Sequence, residues 1–539
     1  MDALSLNEQW KDCLDLSHRK APELYETNDE VRNTPYALAI RTTLEELGVS
    51  AVFCVEKVPT AVICILEKYD HDGIVELHAK LWNQGLAILL LVLTEDDNTV
   101  RVFSLARIPP QSIGESAFDK RCLVQKLEVV ADALELKNII YGVQSGRLWK
   151  EHDKLFKFEE RIDQILLDNL SAAHKQLCDV DLPKDEAKTL LIQTMFIAYL
   201  EDRGIIGKEY FRKASDAKFN NFISLLESKC IFSFEKLFKS LKKDFNGDLF
   251  VAPCSFEIDH TSSELRSDYL EILADFRSGE LNMSSGQYRF WGYDFKYIPI
   301  DLISAVYDRF LGENEKSRKE QGAYYTPMFL ANIVISQVWD THGVQAFDSR
   351  SRFLDPACGS GIFLVQCFHR LCEDWIQKHT PTIDWNNLVA ILQRLCGWDL
   401  NGDAVRVAVF SLYVAFLEYV SSQDIQKFAQ KGRSLPGLWS QTLCVKDYFD
   451  VPPENFQVDV IVGNPPWVSR KGANHSSVKW CEDQNLPIPD KQSAWGFVWK
   501  SLIHLSGKGI VAFLVPSMGF LHNTSNTSVD ARQKLTTHA

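Results

Sequence analysis

Residues 353–363 read FLDPACGSGIF, and this stretch decides how the second half of the chain is expected to fold. A short apolar run ends at Asp355, a turn containing Gly359 and Gly361 follows, and the apolar run IFLVQCF then begins. This order predicts a strand, a tight turn and a helix. The glycines would let backbone N–H groups and a helix N-terminus approach a ligand without a Cβ atom in the way. Asp355 can order the turn or accept hydrogen bonds from an ammonium group. By itself the stretch fits either a nucleotide-type site or a plain tight turn.

A second motif lies about a hundred residues further on. Residues 458–467 read VDVIVGNPPW, an apolar run that stops at Asn464 and is followed by Pro465, Pro466 and Trp467. Two prolines prevent a strand from continuing and prevent a helix from starting at once, so Asn464 is predicted at the carboxyl end of a strand. In open α/β sheets ligands bind at that edge. The structural alternative is a tight turn followed by a surface tryptophan.

The two motifs, in this order, resemble those of amino-group methyltransferases that use S-adenosylmethionine. GAYYTP, at residues 322–327, lies just before the glycines. That placement resembles the DNA adenine-N6 methyltransferases of type I and type IIG restriction–modification systems, whose cofactor motifs precede the NPPW motif. Helical phrases such as IDQILLDNL and IAYLEDRG extend the resemblance over roughly residues 149–520. The resemblance implies an α/β fold, with a Rossmann-like, doubly wound, S-adenosylmethionine-dependent methyltransferase domain. It also implies methylation of adenine N6 in DNA within restriction–modification or phage defence.

The substrate amine is not fixed by the NPPW motif alone. NPP-aromatic turns also occur in protein-glutamine and rRNA guanine methyltransferases. The tryptophan, the placement of GAYYTP and the large helical region favour DNA adenine.

The resemblance implies roles for particular residues. S-adenosylmethionine would be bound by Tyr325, Thr326, Asp355, Ala357, Gly359, Gly361, Asp399, Asp447 and Tyr448. Thr326 would bond the methionine carboxylate of the cofactor, and Tyr324 or Tyr325 would line the cleft. The catalytic turn would consist of Asn464, Pro465, Pro466 and Trp467.

Two of the cofactor predictions also have a basis in the residues themselves. Asp399 ends the apolar run LCGWD, where an acid can accept both ribose hydroxyls of a nucleoside. The alternative for Asp399 is a helix N-cap. Asp447 and Tyr448 follow a third apolar run, where the family contacts the cofactor adenine. The alternative for Asp447 is an acid in a surface turn.

The chemistry expected at NPPW follows from the adenine amine, which is a poor nucleophile because its lone pair is delocalised into the ring. The Asn464 side-chain oxygen and the Pro465 carbonyl can accept its two hydrogens and direct the lone pair at a methyl group. Trp467 offers a face for a flipped base. Arg470, Lys471 and Lys479 are candidate phosphate contacts, with a solvated loop as the alternative.

Composition sets broader limits. A chain of 539 residues is expected to hold two to four domains. The net charge of −14 argues against a generally basic, DNA-coating surface and suggests that part of the DNA grip lies elsewhere. Thirteen cysteines without a CxxC pair predict reduced core thiols, no metal site and a cytoplasmic location. The N-terminus does not resemble a signal peptide, and the apolar run at residues 86–93 is too short to cross a membrane.

Three domains are predicted: a small α/β domain at 1–148, a helical domain at 149–312 and the methyltransferase domain at 313–539. Strand-like runs in the first lie at residues 50–55, 60–66, 86–93 and 99–105. N-terminal α/β units of multidomain restriction–modification enzymes often carry a metal-dependent nuclease, which requires a Glu-x-Lys triplet on a strand. No predicted strand ends in that triplet, so a degenerate nuclease or a docking module is expected. A bifunctional nuclease–methyltransferase would need a magnesium site near Glu67 or Glu76.

In the helical domain, Asp163 and the cluster Glu201, Asp202 and Arg203 are predicted to be solvated helix faces or caps. Towards the C-terminus, residues 509–521 predict a strand, and the polar run HNTSNTSVDARQKLTTHA follows. The family continues with an antiparallel strand pair and a target-recognition domain. A separate recognition subunit or a missing C-terminal recognition domain is therefore expected. The remaining hypothesis is a non-catalytic scaffold that binds the cofactor.

Overall fold

The computed structural model describes residues 6–32, 34–109, 114–215, 218–245, 250, 263–288, 292–311, 326–342, 347, 350–379, 382–420, 435–451, 456–468 and 475–538. The chain divides into two compact units. The first comprises Met1–Phe234 and Cys254–Leu302, and the second comprises Glu235–Pro253 and Ile303–Ala539. The three-domain division remains a prediction.

The first unit contains a six-stranded sheet whose strands lie in the sequence order β1 to β6. These strands are Leu24–Tyr25, Ala51–Val55, Val58–Leu66, Leu89–Thr94, Thr99–Ser104 and Leu123–Glu128. Only β3 and β4 are parallel neighbours, and the other pairs are antiparallel. The four strands expected from β-branched and apolar runs are confirmed as β2 to β5. The sequence did not reveal the two flanking strands, because β1 has only two residues and β6 is interrupted by polar side chains.

The region expected to be helical is largely helical. Its described helices, α6 to α13, are Arg147–Glu151, Ile162–Asp179, Lys184–Asp202, Lys208–Ala214, Phe222–Glu227, Ile231–Phe245, Ser263–Ser278 and Ile300–Leu311. The helices before this region, α1 to α5, are Leu6–Cys13, Ala37–Glu45, His71–Gln84, Glu115–Cys122 and Ala133–Ser145. The region expected to be helical also contains a small antiparallel pair of strands, β7 (Leu281–Asn282) and β8 (Gln287–Tyr288).

The acids at the end of α8 differ from the prediction of a solvated helix face. Arg277 forms an ion pair with Glu201 at 3.0 Å and a second one with Asp202. Both carboxylates also accept backbone N–H groups, Glu201 from Phe222 at 2.8 Å and Asp202 from Phe295 at 3.0 Å. Burial raises the pKa of Asp202 to about 6. These acids therefore join segments of the first unit to one another.

One buried histidine of the first unit gives a pH-dependent stability. His78 on α3 is 0% exposed, and its Nε2 lies 2.9 Å from the Ser104 carbonyl, to which it donates. Burial lowers the pKa of His78 from 6.5 to about 4. The folded state therefore holds this ring neutral, whereas the unfolded chain protonates it as the pH falls below 6.5. Stability is complete above that pH and declines between pH 6.5 and pH 4.

We expect the parent to lose about 2 kcal/mol of unfolding free energy between pH 7 and pH 5 through this histidine, since one pKa unit corresponds to about 1.4 kcal/mol. His78→Gln can keep a donor for Ser104 but has no proton to gain. Denaturant unfolding of both proteins at the two pH values isolates the contribution. Equal losses in the parent and the variant would contradict the assignment.

The second unit is built on a five-stranded parallel sheet in the order β11-β10-β9-β12-β13. These strands, in chain order, are Phe353–Asp355, Leu395–Asp399, Leu443–Val445, Val458–Gly463 and Leu505–Phe513. The helices α14 to α20 are Met328–His342, Ile362–Lys378, Trp385–Leu392, Gly402–Glu418, Ser476–Asp483, Ser493–His504 and Asn526–His538. The predicted α/β class with a parallel sheet is confirmed.

The strand order creates a switch point. The chain starts in the centre with β9, moves outward through β10 and β11, and returns to place β12 on the other side of β9. The carboxyl ends of β9 and β12 are therefore neighbours, although about a hundred residues separate them in sequence. Crevices of this kind are where open α/β sheets bind ligands.

The C-terminal segment differs from the prediction in two respects. The expected strand at 509–521 begins earlier and ends earlier, as β13 (Leu505–Phe513). The polar run that follows includes the helix α20. Ala531 and Leu535 of this helix pack against a cluster that contains Trp495 and Phe520, so a few apolar residues suffice to anchor it.

Candidate active site

The glycine turn after β9 is held by the neighbouring strand β10. Gly359 N donates to Asp399 Oδ2 at 3.0 Å, and Cys358 N donates to the Trp398 carbonyl at 2.9 Å. Within the turn, Ala357 N donates to Asp355 Oδ1 at 3.1 Å. The structure thus confirms the strand, the turn and the helix expected from the sequence, and it shows that the turn is fixed by acids from two strands.

Asp399 lies at the end of β10, as expected. Its second oxygen accepts Asn401 N at 2.8 Å. Burial raises the pKa of this carboxyl group, and the backbone N–H donors oppose that rise. The residue that caps α17 is Asn401, whose side chain accepts from Asp403 N and Ala404 N, so the N-cap alternative for Asp399 is wrong. A carboxylate has about four acceptor positions, so the contacts from Gly359 N and Asn401 N do not use all of them, and a ribose contact of Asp399 remains a prediction.

Gly361 is the N-cap residue of α15 and has a left-handed conformation with φ of 88°. A Cβ atom at this position would lie 3.0 Å from Ala408 Cβ on α17. The absence of a side chain therefore permits close packing between the turn and α17, which is a different use of this glycine from approach to a ligand. Whether Gly361 also contacts a cofactor remains a prediction.

A further glycine, Gly463, was not singled out by the sequence analysis. It is the last residue of β12, immediately before Asn464, with φ of 151°. A Cβ atom there would lie 2.5 Å from Asp355 Oδ1. The buried carboxyl group of Asp355 therefore lies directly against the strand that delivers the NPPW turn. The signal available in the sequence was the glycine at the end of an otherwise β-branched run, which indicates close backbone approach.

Asn464 and Thr326 are brought together across 138 positions of sequence. Asn464 Nδ2 donates to Thr326 Oγ1 at 3.0 Å. Thr326 is 5% exposed, and Asn464 is half-buried. In this orientation the amide nitrogen faces Thr326 and the amide oxygen lies on the opposite branch of the side chain. The two residues predicted to serve the amine and the cofactor are thus directly hydrogen-bonded.

The remaining NPPW residues form a turn against the second unit's core. Pro465 is buried, whereas Pro466 and Trp467 are half-buried. Trp467 Nε1 donates to the Leu514 carbonyl at 3.2 Å, and Leu514 N donates to the Gly463 carbonyl at 3.0 Å. The indole ring is therefore oriented by the segment that follows β13, and it retains exposed surface.

Asp447 and Tyr448 occupy different environments. Asp447 Oδ1 accepts Phe449 N at 2.9 Å and caps a short helical turn. Tyr448 is 1% exposed, and its ring stacks on Phe497 at 5.5 Å. Burial raises the pKa of the Tyr448 hydroxyl, which lies 3.3 Å from Ser501 Oγ. The ring of Tyr448 thus belongs to the core in this structure, and a contact of either residue with adenine remains a prediction.

Two exposed apolar side chains lie at the same edge of the sheet and were not predicted. Leu400 follows Asp399 and is 67% exposed, and Val445 ends β11 and is 45% exposed. Both side chains therefore present apolar surface close to the end of β10, where Asp399 lies.

The other predicted site residues are placed as follows. Lys479 is exposed on α18. Tyr324, Tyr325, Arg470 and Lys471 lie outside the described residues.

The predicted absence of a metal-dependent nuclease site and of a membrane span concerns, in this structure, the described residues. There, no three His, Cys, Asp or Glu side chains are grouped so that they could hold a metal ion. Glu76 forms an ion pair with Lys80 on α3 at 2.6 Å. No helix in the same described residues is long and apolar enough to span a membrane.

The second unit is thus an α/β domain with a parallel sheet, and a glycine turn and an Asn-Pro-Pro-Trp turn meet at its switch point, where open α/β sheets bind ligands. Residues 299–539, somewhat less than half of the chain, match the family model described as N-6 DNA Methylase.

Curated relatives match the chain over stretches of different length. The "Type II restriction enzyme and methyltransferase RM.Eco57I" of Escherichia coli is 21% identical over 458 residues, which is 73% of this chain and 43% of the relative. The "Type I restriction enzyme MjaVII methylase subunit" of Methanocaldococcus jannaschii is 22% identical over 38% of this chain and 30% of the relative. The chain therefore spans less than half the length of these curated relatives. Among solved structures, a type I restriction–modification methyltransferase subunit from Streptococcus thermophilus matches 69% of this chain and 78% of that chain, at 15% identity and a TM-score of 0.41.

Proposed function

We propose that this protein is a site-specific DNA methyltransferase that transfers a methyl group from S-adenosylmethionine to adenine N6 in a restriction–modification or phage-defence system. The observation that carries the proposal is the direct contact between Thr326 and Asn464, which follows the strand β12 that pairs with β9. An acceptor for an amine and a binding residue for a cofactor are thereby held next to each other.

The residues at the switch point fit S-adenosylmethionine. The turn with Gly359 leaves backbone room, Asp399 can accept ribose hydroxyls, and the buried carboxyl group of Asp355 suits an ammonium group. The Thr326 hydroxyl accepts from Asn464 and still has its own hydrogen to donate to a carboxylate. When bound, the cofactor supplies a methyl group on a positively charged sulfur.

Asn464 and Pro465 then act on the adenine amine. The Asn464 side-chain oxygen and the Pro465 carbonyl accept its two N–H hydrogens, which weakens delocalisation of the nitrogen lone pair. These two contacts would direct the lone pair at the methyl group that bound S-adenosylmethionine would supply. The contact with Thr326 fixes which side of the Asn464 amide faces the amine.

The proposal assigns stacking of the target base to Trp467 and much of the remaining DNA contact to a recognition subunit or domain. The oriented, partly exposed indole of Trp467 suits stacking of a base taken out of the duplex. The acidic balance of the chain, with a net charge of −14, supports a recognition subunit or a recognition domain that provides much of the grip on DNA.

Transfer of radiolabelled methyl from S-adenosylmethionine to unmethylated DNA tests the function. The assay contains the full chain together with the proteins encoded by adjacent reading frames, so that a recognition subunit is supplied. We expect the label on N6-methyladenine after digestion to nucleosides. Label on cytosine, on RNA or on protein glutamine would contradict the substrate, and an unlabelled DNA sample would contradict the activity.

A further inference from the structure

Ser493, the first residue of α19, fixes the NPPW turn on both sides of Trp467. Its hydroxyl donates to the Pro466 carbonyl and accepts Val468 N at 3.0 Å. Its backbone N–H donates to the Val468 carbonyl at 2.9 Å. Ser493 is 0% exposed and Val468 is 7% exposed, so water does not replace these contacts freely.

The NPPW turn needs hydrogen-bond partners from residues outside it, because two of its residues are prolines. Pro465 and Pro466 have no backbone N–H, so they cannot close the turn with their own donors. Because the Ser493 hydroxyl donates to the Pro466 carbonyl, the two proline carbonyls have different environments. Within the described residues, no donor reaches the carbonyl of Pro465. That carbonyl is the one the proposed function assigns to the adenine amine.

The neighbouring contacts show what Ser493 stabilises. Trp467 is the residue between the two that Ser493 holds, and its Nε1 is bound to the Leu514 carbonyl at 3.2 Å. Asn464 is held by Thr326 at the other end of the turn. Loss of the Ser493 hydroxyl would therefore release the middle of the turn and leave both of these contacts in place.

We propose that Ser493 is a positioning residue for methyl transfer, which holds Pro466 and Val468 so that the Pro465 carbonyl and the Trp467 ring keep the arrangement the target base requires. This inference rests on the proposed function. It assigns Ser493 no contact with the base or the cofactor. It predicts an effect on turnover and not on cofactor affinity, because the glycine turn, Asp399 and Thr326 are not among its partners.

The test uses variants of the full chain in the methyl-transfer assay. Ser493→Ala and Ser493→Val should lower kcat about 10- to 100-fold, since two buried backbone groups lose their partner. The dissociation constant for S-adenosylmethionine, measured by calorimetry, should stay within twofold. Ser493→Thr retains the hydroxyl and should restore most of kcat. Thr and Val have the same shape, so the difference in kcat between Ser493→Thr and Ser493→Val reports the effect of the hydroxyl even where Ser493→Ala does not fold.

Ser528→Ala is the matched control. Ser528 is also 0% exposed and lies on α20, but its hydroxyl bonds Ser525 at 2.8 Å and has no contact with the NPPW turn. The Ser528→Ala variant should leave kcat unchanged. Equal kcat in Ser493→Thr and Ser493→Val, or a parallel loss of cofactor affinity, would overturn the inference.

A fluorescence measurement keeps the inference distinguishable from the proposed function. The emission of the parent minus that of Trp467→Phe isolates the Trp467 indole. In the Ser493→Val background the same difference should change in wavelength or intensity, and in the Ser493→Thr background it should not. If this emission difference changes but no methyl transfer is detected, the proposed function is contradicted, and the role of Ser493 in holding the turn stands. An unchanged difference spectrum would contradict the positioning role.

Discussion

Asn464→Ala is expected to lower the rate of methyl transfer by about 10²- to 10³-fold, the usual loss for one preorganised polar contact at a reacting group. The substitution removes the side-chain oxygen that would accept an amine hydrogen. It also removes the hydrogen bond to Thr326, which the structure shows at 3.0 Å. Affinity for S-adenosylmethionine should therefore change only by the value of one neutral hydrogen bond, a few-fold at most. Single-turnover rates and calorimetry measure the two effects separately.

Thr326→Val is the companion variant for that experiment. It removes the same Asn464–Thr326 contact but leaves the Asn464 oxygen in the chain. If the acceptor role is correct, Thr326→Val should weaken cofactor binding more than Asn464→Ala does and reduce the single-turnover rate much less. An Asn464→Ala protein as active as the parent would contradict the mechanism.

Gly359→Val is expected to weaken S-adenosylmethionine binding by at least about 100-fold. Gly359 has φ of 51°, a region that β-branched residues adopt only under strain. Its N–H also donates to Asp399, so a displaced turn would move the acid assigned to the ribose. The added side chain would further occupy the backbone surface to which the cofactor is expected to bind. Calorimetric titration of the purified variant measures the loss.

Gly204→Val provides the control for backbone strain. Gly204 also has positive φ, 69°, and a Cβ atom there would meet nothing within 4 Å, but it lies in the first unit. It should lower the melting temperature without changing cofactor affinity. Unchanged affinity in Gly359→Val, in a protein that melts as a folded chain, would show that the glycine turn does not bind the cofactor.

The sequence was informative where local chemistry determines backbone shape. Glycines after Asp355 predicted the turn that follows β9, and two prolines after Asn464 predicted the end of β12, because these residues restrict the chain within one or two positions. The β-branched and apolar runs likewise predicted β2 to β5 of the first unit. It was less informative for β1, too short to show a pattern, and for α20, whose few apolar residues matter only because of what they pack against.

What the sequence alone determined, therefore, is the set of strands, turns and acids that this site needs and their order along the chain. The tertiary structure decided which of them meet. Sheet order, with β12 beside β9, places Gly463 against Asp355. Tertiary packing places Thr326, before α14, against Asn464, and Ser493, at the start of α19, against the Pro466 carbonyl. It also places Tyr448 in the core, although its neighbour Asp447 remains accessible. The physical reason is that hydrogen bonding between strands and burial of side chains join residues distant in sequence, and no local pattern records which partner a strand end will have.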